Sequence, residues 1–283
     1  MSLLALWLTM SATTSQTGIA KSADGAAIHY ATQGQGEIAL VFVHGWAIHR
    51  RYWDAQVPVF ARTHRVVTLD LAGHGRSGKE RKDWTVAAFG QDVRAVVEAL
   101  SLEKVVLIGH SMSGNVVLEA AKVMPERVVG IVPVDTLLDV DEVTSDAEVK
   151  GAIAAFRADY KATASGFMRK YMFTDTTPKA LIEDVVKDAT SFPSDIGVAV
   201  LEQNWKHDPR PLLKEIHVPI VAVNADKFPT RLDHARQYAP QYDALIVKGV
   251  GHYLMREDPD AFNAQLARAV ARVTGAPQPL APR

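Results

Sequence analysis

The sequence predicts a doubly wound, mostly parallel α/β sheet of about eight strands carrying an inserted set of helices. Three observations lead there. The apolar runs Ile38–Val43, Val105–Ile108 and Val128–Val134 are continuous rather than alternating, as strands covered by helices on both faces are. They alternate with helical spacing, clearest over Trp84–Leu100, where Val86, Phe89, Val93, Val96, Val97 and Leu100 share one side. The strand rhythm then stops from Thr136 to Ile216, roughly eighty residues that separate two strands.

Taken in order, residues 1–16 hold the apolar run Leu3–Met10 followed by small and polar residues, the core and exit of an export signal. No basic residue precedes Lys21, so a retained tail stays open, and eight residues are too few to span a bilayer. Gly18–Ala23 and Ala27–Gln33 around Asp24-Gly25 predict a hairpin. Strand Ile38–Val43 ends in His44-Gly45-Trp46; a helix over Tyr52–Ala61 and strand Arg65–Leu69 follow. Helices are expected over Glu148–Phe173, Pro178–Phe192 and Pro193–Trp205, with proline near two of the starts. Aromatics such as Phe156, Phe167, Tyr171 and Trp205 in this region serve packing first, or a substrate pocket. Strands Pro219–Val223 and Ala244–Val247 flank a helix over Arg231–Tyr238, a last helix covers Pro259–Val273, and the proline-rich 275–283 reads as a disordered tail.

Composition narrows the function. Of 283 residues, 48% are hydrophobic and 22% charged, as in ordinary folded proteins. The 31 basic and 32 acidic residues leave a net charge of -1, which offers no field for nucleic acid or an anionic membrane; small neutral or weakly charged partners fit better. The absence of cysteine excludes a thiol nucleophile and a thiolate metal site. The ten histidines show no metal-ligand spacing, and no phosphate-cradling glycine string occurs, so cofactor-free chemistry is expected.

The chemistry centres on Gly109-His110-Ser111-Met112-Ser113, between a buried strand and the helix-forming stretch Asn115–Met124. A strand, a sharp turn and a helix place Ser111 at a strained apex and require small flanking residues. This segment resembles the nucleophile elbow of the α/β-hydrolase family, with Ser113 where the last glycine usually stands. Asp70-Leu-Ala-Gly-His-Gly-Arg-Ser77 likewise resembles that family's D-x-x-G-x-G-x-S turn, in which Asp70 has a structural part. The resemblance implies the α/β-hydrolase fold with residues 17–135 and 217–274 as core and 136–216 as a helical cap. It also implies an oxyanion hole from the backbone amides of Trp46 and Met112. The family's order of serine, acid and histidine points to Ser111, Asp226 and His252, the last in a Gly-Val-Gly-His context after the final strand. Asp135, at the end of Val128–Val134, is the alternative acid.

A serine ester hydrolase acting on a small or medium ester, lactones included, is the leading expectation. Alternatives on the same residues are a carbon-carbon bond hydrolase, a cofactor-free perhydrolase or haloperoxidase, and a hydrolase-fold ligand receptor with little turnover. Aspartate-nucleophile enzymes are disfavoured, because they need a carboxylate where Ser111 stands.

Overall fold

A computed structural model describes residues 14–142 and 144–276. The segment read as an export signal or retained tail lies outside the described residues up to position 13, and the expected C-terminal tail from 277 onward. Strands β1 (Gln16–Lys21), β2 (Ala27–Gln33) and β3 (Ile38–Val43) open the chain. A short 3-10 helix (Arg50–Trp53) and α1 (Val57–Phe60) replace the longer helix expected over Tyr52–Ala61. Then come β4 (Arg65–Leu69), α2 (Val86–Ala99), β5 (Lys104–His110), α3 (Ser113–Val123) and β6 (Val128–Val134). Between β6 and the next strand lie α4 (Asp146–Ala158), α5 (Tyr160–Tyr171), α6 (Lys179–Ser191), α7 (Ser194–Lys206) and α8 (Arg210–Glu215). The chain closes with β7 (Ile220–Ala225), α9 (Leu232–Tyr238), β8 (Tyr242–Val247), α10 (Leu254–Glu257) and α11 (Pro259–Thr274).

The eight strands form one sheet in the order β1-β2-β4-β3-β5-β6-β7-β8. The β1-β2 and β2-β4 pairs are antiparallel and every later pair is parallel. The central strands are buried along nearly their whole length, which explains their unbroken apolar runs. Every carboxyl end from β4 to β8 therefore faces one rim, where loops from non-adjacent parts of the sequence meet.

Local chemistry adjusts the predicted boundaries. The hairpin turn runs from Ser22 to Ala26 with only Gly25 left-handed (φ 93°), while Asp24 caps the Ala26 amide. The single helix expected over Glu148–Phe173 is two, because Asp159 adopts extended backbone and caps the amide of Ala162 at the start of α5. No helix among the described residues is long and apolar enough to cross a membrane.

A buried ion pair ties the N-terminal hairpin to the Asp70–Ser77 turn. Arg81 and Asp92 have side chains 1% and 0% exposed; Asp92 also accepts from the Ser22 hydroxyl (2.6 Å) and the Ala72 amide (3.1 Å), and Arg81 reaches Asp24 (2.6 Å). Asp92→Ala leaves the guanidinium buried without that partner. The expected loss is about 3–5 kcal/mol, read as a lower urea midpoint at unchanged denaturant slope.

Candidate active site

The elbow is built by steric exclusion. Ser111 sits at φ 57°, a left-handed conformation that a side-chain-bearing residue holds only when its surroundings impose it. A Cβ on Gly109 would run into the backbone of Ser113, so only glycine lets β5 and α3 approach this closely. Ser113, which stands where the family pattern has glycine, is fully buried, and its hydroxyl donates to the carbonyl of His44. The departure from the usual pattern thus supplies a tie between the elbow and the turn after β3.

That turn lies directly against Ser111. A Cβ on Gly45 would fall 3.0 Å from the Ser111 Cβ, which explains glycine ahead of Trp46. The Trp46 indole is buried, and its Nε1 donates to the carbonyl of Gly197 in α7 (2.9 Å). Phe156 of α4 and Tyr160 of α5 pack edge-on against the same ring. The backbone amides of Trp46 and Met112 find no acceptor among the described residues. Both flank Ser111, one through the contact of Gly45 and the other through the chain itself.

Asp135 ends β6, next to β5 in the sheet, and the Ser111 amide donates to the carbonyl of Val134 (3.0 Å). Asp135 is also left-handed (φ 46°) and 7% exposed. Its Oδ1 accepts from the Ala225 amide (2.9 Å), and its Oδ2 meets Nδ1 of His252 at 2.6 Å. With Nδ1 bearing the proton toward this carboxylate, Nε2 is left as the free acceptor. The structure therefore brings His252 and Asp135 together, and the expectation that Asp226 meets His252 is corrected. Asp226 lies one residue past β7, and its Oδ1 accepts from the Gly249 amide (2.8 Å), closing the turn after β8.

Two further residues on His252 were missed. His110, adjacent to Ser111, has its ring 4.6 Å from that of His252 and its Nε2 on the His252 carbonyl (2.9 Å). Glu257 accepts from the amides of Gly251 (2.9 Å) and Tyr253 (3.2 Å). Sequence carried no signal for the first beyond its place beside Ser111, and none for the second. Asp70, expected to be structural, accepts from the amides of Arg50 (2.8 Å) and Arg76 (3.1 Å) and makes no contact with His252.

The sequence profile described as the alpha/beta hydrolase family matches residues 40–265. Among curated proteins, the chain is 26% identical over 239 residues to the dihydrolipoyllysine-residue acetyltransferase component of the acetoin cleaving system of Pseudomonas putida, a match covering 82% of this chain and 63% of that one. It is 34% identical over 157 residues to a non-heme chloroperoxidase of Streptomyces lividans, covering 50% of this chain and 56% of that protein. The match thus spans less than two thirds of either relative. Among solved structures, a thermophilic esterase from Thermogutta terrifontis superposes with a TM-score of 0.80 at 21% identity, covering 92% of this chain and 99% of that one. This last likeness is one of fold.

Three histidines near the site are buried and held neutral. His44 accepts the Leu71 amide at Nε2 (3.0 Å), and burial lowers its pKa to about 4 against the opposing pull of Asp70. Burial also holds His74 and His110 well below the ordinary histidine range. In the unfolded chain each protonates near pH 6.5. Between the two values the unfolded state binds more protons, so the stability is complete above about pH 6.5 and is lost as pH falls toward 4. Urea unfolding at pH 7.0 and 4.5 is expected to differ by at least about 2–3 kcal/mol from His44 alone; equal stability at the two pH values would contradict neutral burial.

Proposed function

Since the chain belongs to the alpha/beta hydrolase family, we propose that it is a serine hydrolase cleaving a small or medium carboxylic ester, lactones included, through an acyl-enzyme on Ser111. The observation that carries this reading is the 2.6 Å bond from His252 to Asp135 at the strand rim that also holds a left-handed serine. A hydroxyl is a weak nucleophile at neutral pH and needs a base, and the base needs a carboxylate to fix its tautomer and stabilise its charge.

In the proposed cycle His252 Nε2 takes the Ser111 proton as Oγ adds to the ester carbonyl. The amides of Trp46 and Met112, without an acceptor among the described residues, hold the oxyanion, and the latter gains from lying at the N-terminus of α3. The imidazolium, stabilised by Asp135, then protonates the leaving alkoxide. Water enters, loses a proton to His252, and releases the acid in the same way. Helices α4–α8 act as the cap: Phe156 and Tyr160 back the Trp46 ring, so the acyl and alcohol pockets are shaped from that side.

A fluorophosphonate is expected to label the wild type and not Ser111→Ala, with p-nitrophenyl butyrate turned over many times by the former. Persistent labelling of the variant, or a single slow turnover, would overturn the reading; the second outcome would instead fit a ligand receptor. Asp135→Asn is expected to lower kcat by about 10³–10⁴, because it favours the wrong imidazole tautomer. Asp226→Asn is expected to cost less than about tenfold, since only one loop hydrogen bond changes.

A further inference from the structure

The backbone around His252 is held at four polar groups, by three different parts of the chain. The Gly251 and Tyr253 amides donate to Glu257 (2.9 and 3.2 Å), one to each carboxylate oxygen. The His252 amide donates to the carbonyl of Met172, just after α5 (2.8 Å), and the His252 carbonyl accepts from Nε2 of His110 (2.9 Å). Glu257 is itself anchored by the hydroxyl of Thr177 (2.6 Å), in the connection between α5 and α6. Close packing enforces the arrangement, because a Cβ on Gly251 would lie 2.6 Å from the Met172 carbonyl oxygen and 2.9 Å from Glu257 Oε1.

We propose that His110 and Glu257 are positioning residues for the base, locking the His252 backbone so that its imidazole is presented to Ser111 from a fixed origin. The proposal rests on the ester-hydrolase reading of Ser111 and His252. Asp135 fixes the rotation of the imidazole but holds only its Nδ1. The position of the ring as a whole is set by the backbone that carries it, and small displacements of a catalytic group are expensive: about 1 Å of misplacement costs on the order of 10²-fold. His110 is suited to this, being the residue before the nucleophile, so that strand β5 presents Ser111 and holds the base through one side chain. To donate to a carbonyl, His110 must carry its proton on Nε2; its buried Nδ1 has no partner among the described residues. Burial and the neighbouring His252 both keep this ring neutral, so it lies tilted against the base without repelling the imidazolium of the proposed cycle. Glu257 adds a charge-assisted grip on two amides, stronger than neutral hydrogen bonds would provide.

The test compares wild type with His110→Phe, His110→Gln, Glu257→Gln and Ser111→Ala on p-nitrophenyl acetate and butyrate. Rates of fluorophosphonate labelling, which sense the base without acyl specificity, are recorded alongside, and all measurements are made below each variant's melting temperature. His110→Phe keeps the volume but loses the donor. Its kcat and labelling rate are expected to fall about 10- to 100-fold with KM within about threefold. His110→Gln carries a side-chain amide of similar reach and is expected to recover most of the loss. Glu257→Gln keeps the shape but turns its NH2 toward one of the two amide donors, and is expected to behave like His110→Phe. Should it fail to fold, the two His110 variants decide. Wild-type rates in His110→Phe, or equal loss in His110→Phe and His110→Gln, would overturn the proposal while leaving the hydrolase reading intact. Undiminished turnover in Ser111→Ala would remove that reading instead.

Discussion

Three adjacent parallel strands end near residues other than glycine whose backbones are left-handed: Ala47 after β3, Ser111 after β5 and Asp135 after β6. Leu137 follows two positions on, so four of the five such residues among the described ones gather at this rim. Each costs of order 1–3 kcal/mol and persists only because its neighbours leave no relaxed alternative. Gly109 and Gly45 let the three turns close on one another, the Ser113 hydroxyl joins two of them through the His44 carbonyl, and the Ser111 amide joins the third through Val134. The two outer turns are therefore each tied to the elbow between them. A serine, a pair of amides unclaimed among the described residues and a carboxylate are held together as a result.

Much of this was legible in the sequence because it follows from local requirements. Continuous apolar runs marked buried parallel strands, Gly109 and Gly45 marked close approaches, and Asp70 read correctly as a turn residue bonded to backbone amides. The helical insertion was visible as a gap in strand rhythm, yet its break at Asp159 was not. A capping aspartate inside an amphipathic stretch looks like any polar surface position until the extended backbone is seen.

The carboxylate that faces His252 illustrates what sequence does not carry. Asp135 and Asp226 each stand at the end of a buried strand, so spacing does not separate them. The choice is made by how the strand ends lie beside one another: the Asp135 amide bonds to Val223 and its Oδ1 to the Ala225 amide, which aims the other oxygen at His252. Asp226, lying farther along, is taken up by the Gly249 turn. His110 and Glu257 were hidden for the same reason, since their partners are backbone groups of a loop distant in sequence from one of them and fixed only by the fold.

Helices α4–α8 grip the Trp46 ring and the His252 backbone through carbonyl oxygens, those of Gly197 and Met172. Carbonyl oxygens are present whatever the side chain, so the Met172 anchorage follows the path of the helices, whereas Gly197 must also stay small, because a Cβ there would lie 2.5 Å from the Tyr160 hydroxyl. Side chains elsewhere on the overlying helices can therefore change without removing either hydrogen bond.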